Sequence, residues 1–449
     1  MTNPKEIRLT VNVHASGRHD AAWKTLPNPE GLSTNIDEFI RIAKISEKGL
    51  FDALFLADNF GGLTEEAAVR PWRALDPAIL HGALSQSTSH IGLIVTTSTI
   101  FGHPSLVARQ IASLDHISHG RAAWNIITSQ NPPALGAFGY DEGFAHEERY
   151  ARAEEFVSIV TALWDSIPRE ALVADPARHV YLDESRLRKL DFKGKYYSVR
   201  GALGVPETPQ GRPVIVQAGT SSESRNLGAK WADALFTGQR TLESAKEFYD
   251  DVKARAVKFG RNPEKLLILP GLFPIIGSTE AEAQRRKDEL DGRLDLEHLV
   301  AELATRLGID ADDIRLDQDL PYEKIAKSPI ADNLARRHRD QLIAEAQAKG
   351  LSARQVVYNN ITGGHRVTLG TPEQIADDVI GWVDQGAADG FQLNTDVQTD
   401  GLENFVNEVI PVLQKRGRFR TEYRGKTLRE NLGVEEYSGP VEQPSRAVA

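Results

Sequence analysis

The chain has no cysteine, and its single methionine is the initiator. The lack of thiols excludes disulfides, a thiolate nucleophile and cysteine-ligated zinc or iron–sulfur clusters. Long apolar runs are missing too: nothing approaches the roughly 18 residues that a membrane span needs. The N-terminal stretch MTNPKEIRLT has no apolar signal core. These absences predict a cytoplasmic protein with no membrane partner. Positive charge is not in excess, with 53 Lys and Arg against 63 Asp and Glu and a formal net charge of -10. A nucleic-acid partner is therefore not expected, because such a surface needs concentrated cations. No G-x-G-x-x-G follows the first strand-like segment, and there is no G-x-S-x-G, P-loop or H-E-x-x-H. His116 and His119 lie three apart but have no third ligand in sequence reach, so no metal site is expected.

What is present is a soluble-type composition, 41% hydrophobic and 26% charged over 449 residues, and a repeating rhythm of apolar strands and amphipathic helices. IRLTVNVHA (7–15) alternates as a strand and brings His14 to its end. Asn35 reads as a helix N-cap, with a stripe of Ile36, Phe39, Ile40 and Ala43 behind it. LFDALFLAD (50–58), HIGLIVTTST (90–99) and RAAWNIITS (121–129) follow as strands, and Asp76-Pro77 opens a helix. RAAWNIITS is the reference segment, expected to deliver Trp124, Asn125, Thr128 and Ser129 to one mouth of a barrel. PVIVQAG (213–219), ALFTG, LLILPGLFPIIG (266–277) and GFQLN (390–394) complete eight strands. Two charged stretches, about 166–212 and 280–360, break the rhythm and read as insertions. The expected architecture is an α/β protein, a single (β/α)8 TIM barrel over 1–433 with insertions and a flexible tail at 434–449. A doubly wound sheet is the competing fold.

In such a barrel the strand ends converge on the chemistry. Here they contribute His14, Asp58, Thr97 and Ser98, Asn125 and Thr128, Gly219 and Ser221, and Asn394. AGTSSESR (218–225) is a strand-to-helix turn whose exposed N–H groups suit a phosphate, with plain serine capping as the alternative. FAHEERYARAEEF places His146 and Tyr150 four apart, hence on one helix face.

These blocks resemble the bacterial luciferase superfamily of flavin-dependent monooxygenases, in the branch of nitrilotriacetate monooxygenase component A, dibenzothiophene sulfone monooxygenase and long-chain alkane monooxygenase. KGLFDALFLAD, HIGLIVTTST, ARQIASLDHISHGRAAWNIITS, HEERYARAEEF, PVIVQAGTSSESR and the closing GLENFVNEVIPVLQKRGRFRTEYRGKTLRENLG carry the resemblance, from about residue 7 to 433. It implies an oxygenase component that takes reduced FMN (FMNH2) from a separate NAD(P)H-dependent flavin reductase and, with O2, oxygenates a small organic substrate through a C4a-(hydro)peroxyflavin, with C–S or C–N cleavage as one outcome. By the family pattern Asp58, Ser98, His146, Tyr150 and Ser221 match FMN-binding positions, with Asn125 and Ser222 as neighbours. A proton donor or acceptor of near-neutral pKa is expected beside the flavin; His14, His19 and His365 are the catalytic candidates from loop position, with a structural histidine as the competing reading. The resemblance also implies a homodimer or homotetramer. Two alternatives remain open, an F420-dependent oxidoreductase on the same fold and a non-catalytic flavin-binding protein.

Overall fold

The computed structural model describes residues 5–439 apart from 59, 61, 62, 64, 329–332 and 363. Eight parallel strands form the centre: β1 (Arg8–Asn12), β2 (Ala53–Leu56), β3 (Gly92–Ser98), β4 (Ala122–Ile127), β5 (Val214–Ala218), β6 (Ala234–Thr237), β7 (Leu267–Ile276) and β8 (Gly390–Leu393). They pair in chain order, and β8 returns to β1 with Thr10 opposite Gln392, which closes the barrel. The wall is built by α1 (Ile36–Lys48), α2 (Pro77–Ser85), α3 (Pro104–Ile117), α4 (His146–Trp164), α5 (Ser222–Trp231), α6 (Leu242–Lys258), α7 (Glu280–Asp291) and α8 (Pro372–Asp384). The final helical stretch runs from Gln398 to Lys415, with a π turn at Phe405–Val409. Pro411 lies just beyond that turn and cannot donate a helical hydrogen bond.

Local chemistry sets the helix starts. Asp76 accepts from Ile79 N at 2.9 Å ahead of Pro77, and Thr371 and Gln374 close a capping box around Pro372. Asn35 caps α1 as expected, its side chain accepting from Asp37 N at 3.1 Å.

Alternation along the strands gives the barrel two surfaces. The lower interior is apolar. Phe55 and Phe236 meet across it at 4.9 Å, and Leu428 and Leu432 of a C-terminal helix, Leu428–Leu432, plug the floor. Buried Arg429 of that plug pairs with Asp233 at 3.0 Å. On the outer face of β4, Trp124 packs against Phe156 and Trp164 of α4. The expectation that Trp124 reaches the mouth is thus corrected: it sits one position out of phase with Asn125, so it faces the helices.

The first insertion folds as two β-hairpins, Leu172–Asp175 with Val180–Leu182 and Leu190–Lys193 with Ser198–Gly201. The second begins later than expected, because α7 packs on β7 as part of the wall. Its helices, from Leu296–Leu307 to Ala353–Asn360, bury a separate small core around Leu303, Leu307, Leu320 and Val356. A short strand that the sequence reading missed, Arg366–Gly370, pairs with the outer half of β7. Part of the expected tail, 440–449, lies outside the described residues. No helix among the described residues is long and apolar enough to cross a membrane.

Candidate active site

The upper interior of the barrel is polar. Thr10, Gln392 and Gly271 stand side by side in register on β1, β8 and β7. Asn12 donates from Nδ2 to Asn394 Oδ1 at 2.8 Å, and Asn125 donates from Nδ2 to Thr96 Oγ1 at 3.0 Å. Yet Thr10 Oγ1, Asn12 Oδ1, Asn125 Oδ1, Gln392 Nε2 and His365 Nδ1 are buried without a hydrogen-bond partner. Each such atom costs about 1–3 kcal/mol if left unsatisfied. A cluster of them at one end of a barrel is therefore a surface built for a ligand with several donors and acceptors.

His365 reaches this surface because β7 has a glycine opposite it: a Cβ on Gly271 would lie 1.9 Å from His365 Nδ1. Burial, with Arg18 and Arg240 nearby, pushes His365 down to about 3. His14 follows β1. Its backbone N–H donates to Gln398 Oε1 at 3.1 Å, and its Nε2 lies 3.1 Å from an Arg73 guanidinium nitrogen. A guanidinium can only donate, so Nε2 accepts and the ring is neutral. Burial, then Arg73, Arg18, Arg70 and His365, hold His14 well below the ordinary imidazole range. Neither ring therefore has the near-neutral pKa expected of a proton donor. His19 differs from both: its Nδ1 accepts from Ala21 N at 3.1 Å and its Nε2 contacts Asp291 at 3.0 Å. Both nitrogens are occupied in an internal tether between the first loop and α7.

The other candidate residues divide into two groups. Asp58 and Ser98 end adjacent strands, where each caps its own turn. Asp58 Oδ1 accepts from Phe60 N at 2.8 Å, and Ser98 Oγ accepts from Ile100 and Phe101 N at 3.0 and 3.3 Å. His146 and Tyr150 share a face at the start of α4, rings 5.0 Å apart. They meet the N-terminus of α5, where Ser221 caps Ser224 N at 3.2 Å. Ser222 turns away, its backbone and side-chain oxygens accepting from Arg255 at 3.1 and 3.2 Å.

Residues not foreseen complete this second group. Arg149, buried, donates to Thr128 O at 2.7 Å and to His146 Nδ1 at 3.1 Å. Glu223 accepts from His146 Nε2 at 2.9 Å. Its carboxyl is held below the usual range by its own backbone amide and by His146. A carboxylate thus occupies the donors that a phosphate would use. The i, i+3 spacing of His146 and Arg149 was the available signal for Arg149; nothing in the sequence marked Glu223. No group of three or more metal-ligating side chains occurs among the described residues.

The family model for luciferase-like monooxygenases matches residues 10–389. Among curated relatives, the chain is 42% identical over 434 residues to N-acetyl-S-(2-succino)cysteine monooxygenase of Bacillus subtilis (strain 168), covering 96% of this chain and 97% of that one. It is 38% identical to nitrilotriacetate monooxygenase component A of Aminobacter aminovorans, covering 98% and 99% of the two chains. Among solved structures, EDTA monooxygenase from Chelativorans sp. BNC1 superposes with a TM-score of 0.79 at 35% identity, over 96% of this chain and 99% of that one.

Proposed function

Because the chain belongs to the luciferase-like monooxygenase family, we propose that it is the oxygenase component of a two-component system, working with reduced FMN from a separate NAD(P)H-dependent flavin reductase. The observation that carries this reading is the buried set of unsatisfied atoms at Thr10, Asn12, Asn125, Gln392 and His365. An isoalloxazine edge, alternating carbonyl and ring N–H groups, is the kind of ligand such a set would satisfy. Bound reduced FMN would supply the activation of O2 and the transfer of one oxygen atom to the substrate.

The chain's own residues then have separable tasks. Asn125, with Asp58 and Ser98 at the neighbouring strand ends, would hold the ring system. His146, Tyr150, Arg149 and Ser221 would hold the phosphate end, with the α5 N-terminus adding backbone donors. Ser222 would act through the turn's backbone rather than its hydroxyl, which already serves Arg255. His14 and His365, both neutral, would orient groups by hydrogen bonding rather than deliver a proton from an imidazolium. His19 would hold the loop that carries its neighbours. The homodimer or homotetramer implied by the family would bury exposed Ile79 and Leu106 of α2 and α3.

Anaerobic titration with reduced FMN, oxidised FMN and reduced F420, followed by admission of O2, tests the reading. Preference for reduced FMN is expected, with Asn125→Ala weakening it roughly tenfold through loss of a buried hydrogen bond. Preference for reduced F420, or no reduced-flavin binding, would overturn it.

A further inference from the structure

Two helices meet beside the turn that carries Ser221. α6 places Asp251 and Arg255 four residues apart, hence on one face, and α5 brings Arg225 against them. Asp251 sits between the two guanidinium groups: its Oδ2 accepts from Arg225 and its Oδ1 from Arg255, each at 2.9 Å. Both arginines also reach a backbone carbonyl of the turn. Arg225 Nε donates to Thr220 O at 3.0 Å, and Arg255 Nη1 donates to Ser222 O at 3.1 Å and to Asn226 Oδ1 at 2.7 Å. The first bond of the α5 ladder runs from Arg225 N to Ser221 O, so Thr220 O lies ahead of that ladder and is met by the Arg225 side chain instead.

Peptide planarity turns these bonds into a constraint on donors. In a trans unit the N–H points opposite to the C=O. A guanidinium on Thr220 O therefore fixes the direction of Ser221 N–H, and one on Ser222 O fixes that of Glu223 N–H. On that opposite side Glu223 N–H meets its own carboxylate, the group that His146 contacts at 2.9 Å. The arginines thus hold the turn from outside while its donors face the His146 side. Partial burial would raise the Asp251 carboxyl, but the bonds from Arg255 and Arg225 outweigh it and keep it below the usual carboxylate range. The Asp251 side chain is one-third exposed, and ion pairs so placed add little to the stability of a fold. What they set here is direction.

We propose that Asp251 is a positioning residue for the flavin phosphate: through Arg225 and Arg255 it sets the backbone N–H groups of the turn at 220–223, and so favours FMN over riboflavin while touching neither. The identity of the ligand rests on the flavin reading above; the geometry of the turn rests on the clamp alone. The proposal also carries a sign. By charge alone, removing a carboxylate from the neighbourhood of a phosphate tightens its binding, whereas loss of positioning weakens it.

Reduced FMN and reduced riboflavin are titrated anaerobically into the full-length wild-type protein, Asp251→Asn and Asp251→Glu, at about 0.15 M salt to screen the charge effect. Hydrogen exchange of the three flavin-free proteins is followed by mass spectrometry. Asp251→Asn should bind FMN roughly fivefold more weakly and riboflavin as the wild type does. Asp251→Glu should recover most of the loss, and in Asp251→Asn exchange should quicken at 220–224 with the barrel strands unaffected. Unchanged or tighter FMN binding in Asp251→Asn would overturn the proposal. So would an equal loss for riboflavin, which would make Asp251 a support of the fold. Wild-type protein that does not distinguish FMN from riboflavin would put the phosphate elsewhere and overturn it too. Wild-type protein that takes neither flavin would remove the flavin reading; the exchange rates then decide, faster exchange at the turn sustaining the clamp and unchanged exchange removing it.

Discussion

Glu223 occupies a position at odds with the task assigned to its surroundings. Its carboxylate sits on His146 and on its own amide at the α5 N-terminus, where a flavin phosphate would need the same donors. Either it moves aside or the phosphate binds against its charge. Glu223 is about two-fifths exposed, so solvent moderates the repulsion to about 1 kcal/mol. Glu223→Gln should therefore tighten reduced-FMN binding roughly fivefold at low salt, with the gain shrinking as salt is added. A fluorescence titration of both proteins checks this; a weaker complex would mean that Glu223 orients His146 instead of competing for it. The serines and His146 could be picked out in the sequence because caps and i, i+4 spacing are local signals. Glu223 could not, because its conflict arises only when α4 and α5 meet. His14, His19 and His365 were equally plausible as loop histidines. What separates them is partner geometry: Asp291 for His19, Arg73 for His14 and a bare glycine for His365.

At the scale of elements, β7 shows why a strand can be legible while its purpose is not. LILPGLFPII reads as a long buried strand, and its glycine reads only as a weak point. The structure gives Gly271 a specific use: it leaves room for His365, which arrives from the loop before Arg366–Gly370. That strand was missed because five residues after a glycine pair carry little pattern, and its pairing with β7 spans most of the second insertion. The hairpins of the first insertion were missed for a related reason. Their strands are only three or four residues long, so the alternation of Leu190–Lys193, with Leu190 and Phe192 buried, is too brief to stand out, and Leu172–Asp175 has no buried residue. Barrel strands, by contrast, were visible because burial on both faces makes them continuously apolar. Gly271→Ala should therefore act through His365. The added methyl displaces the imidazole, costing about 1–3 kcal/mol of stability as overpacking. Reduced-FMN affinity should fall about as far as in His365→Ala, roughly tenfold for one lost buried hydrogen bond. The double variant should lose little more than either single one, because both remove the same contact. Additive losses would show that Gly271 serves the backbone and not His365.

At the scale of the whole molecule, three histidines among the described residues are folded in their neutral form: His14 and His365 at the mouth, and His81 of α2, which is fully buried with Nε2 3.2 Å from Ile94 O. Burial lowers His81 to about 4 and His365 to about 3. In the unfolded chain each would titrate near about 6.5. Below that value the unfolded state binds protons that the folded state refuses, so stability is complete above it and falls as the pH drops towards the folded pKa values. Each group contributes a slope of up to about 1.4 kcal/mol per pH unit within its window. Asp115, raised by burial despite its bonds from Gln210 and Ala122, works with the opposite sign and favours the folded chain in acid. One such group does not offset three histidines. Urea unfolding at about pH 7.5 and about pH 5 should therefore show a marked loss of stability in acid. His81→Gln keeps a donor for Ile94 O and removes the titration, so its stability should depend less steeply on pH, while reduced-FMN binding at neutral pH stays unchanged because α2 meets β3 from outside the barrel. Because His14 and His365 are already held neutral in the free protein, flavin bound over them should not steepen the loss of stability between about pH 7.5 and about pH 5. A steeper loss in the flavin-bound protein would show that one of those rings is protonated in the free fold and loses its proton to the ligand, which would overturn the neutral assignment of His14 and His365.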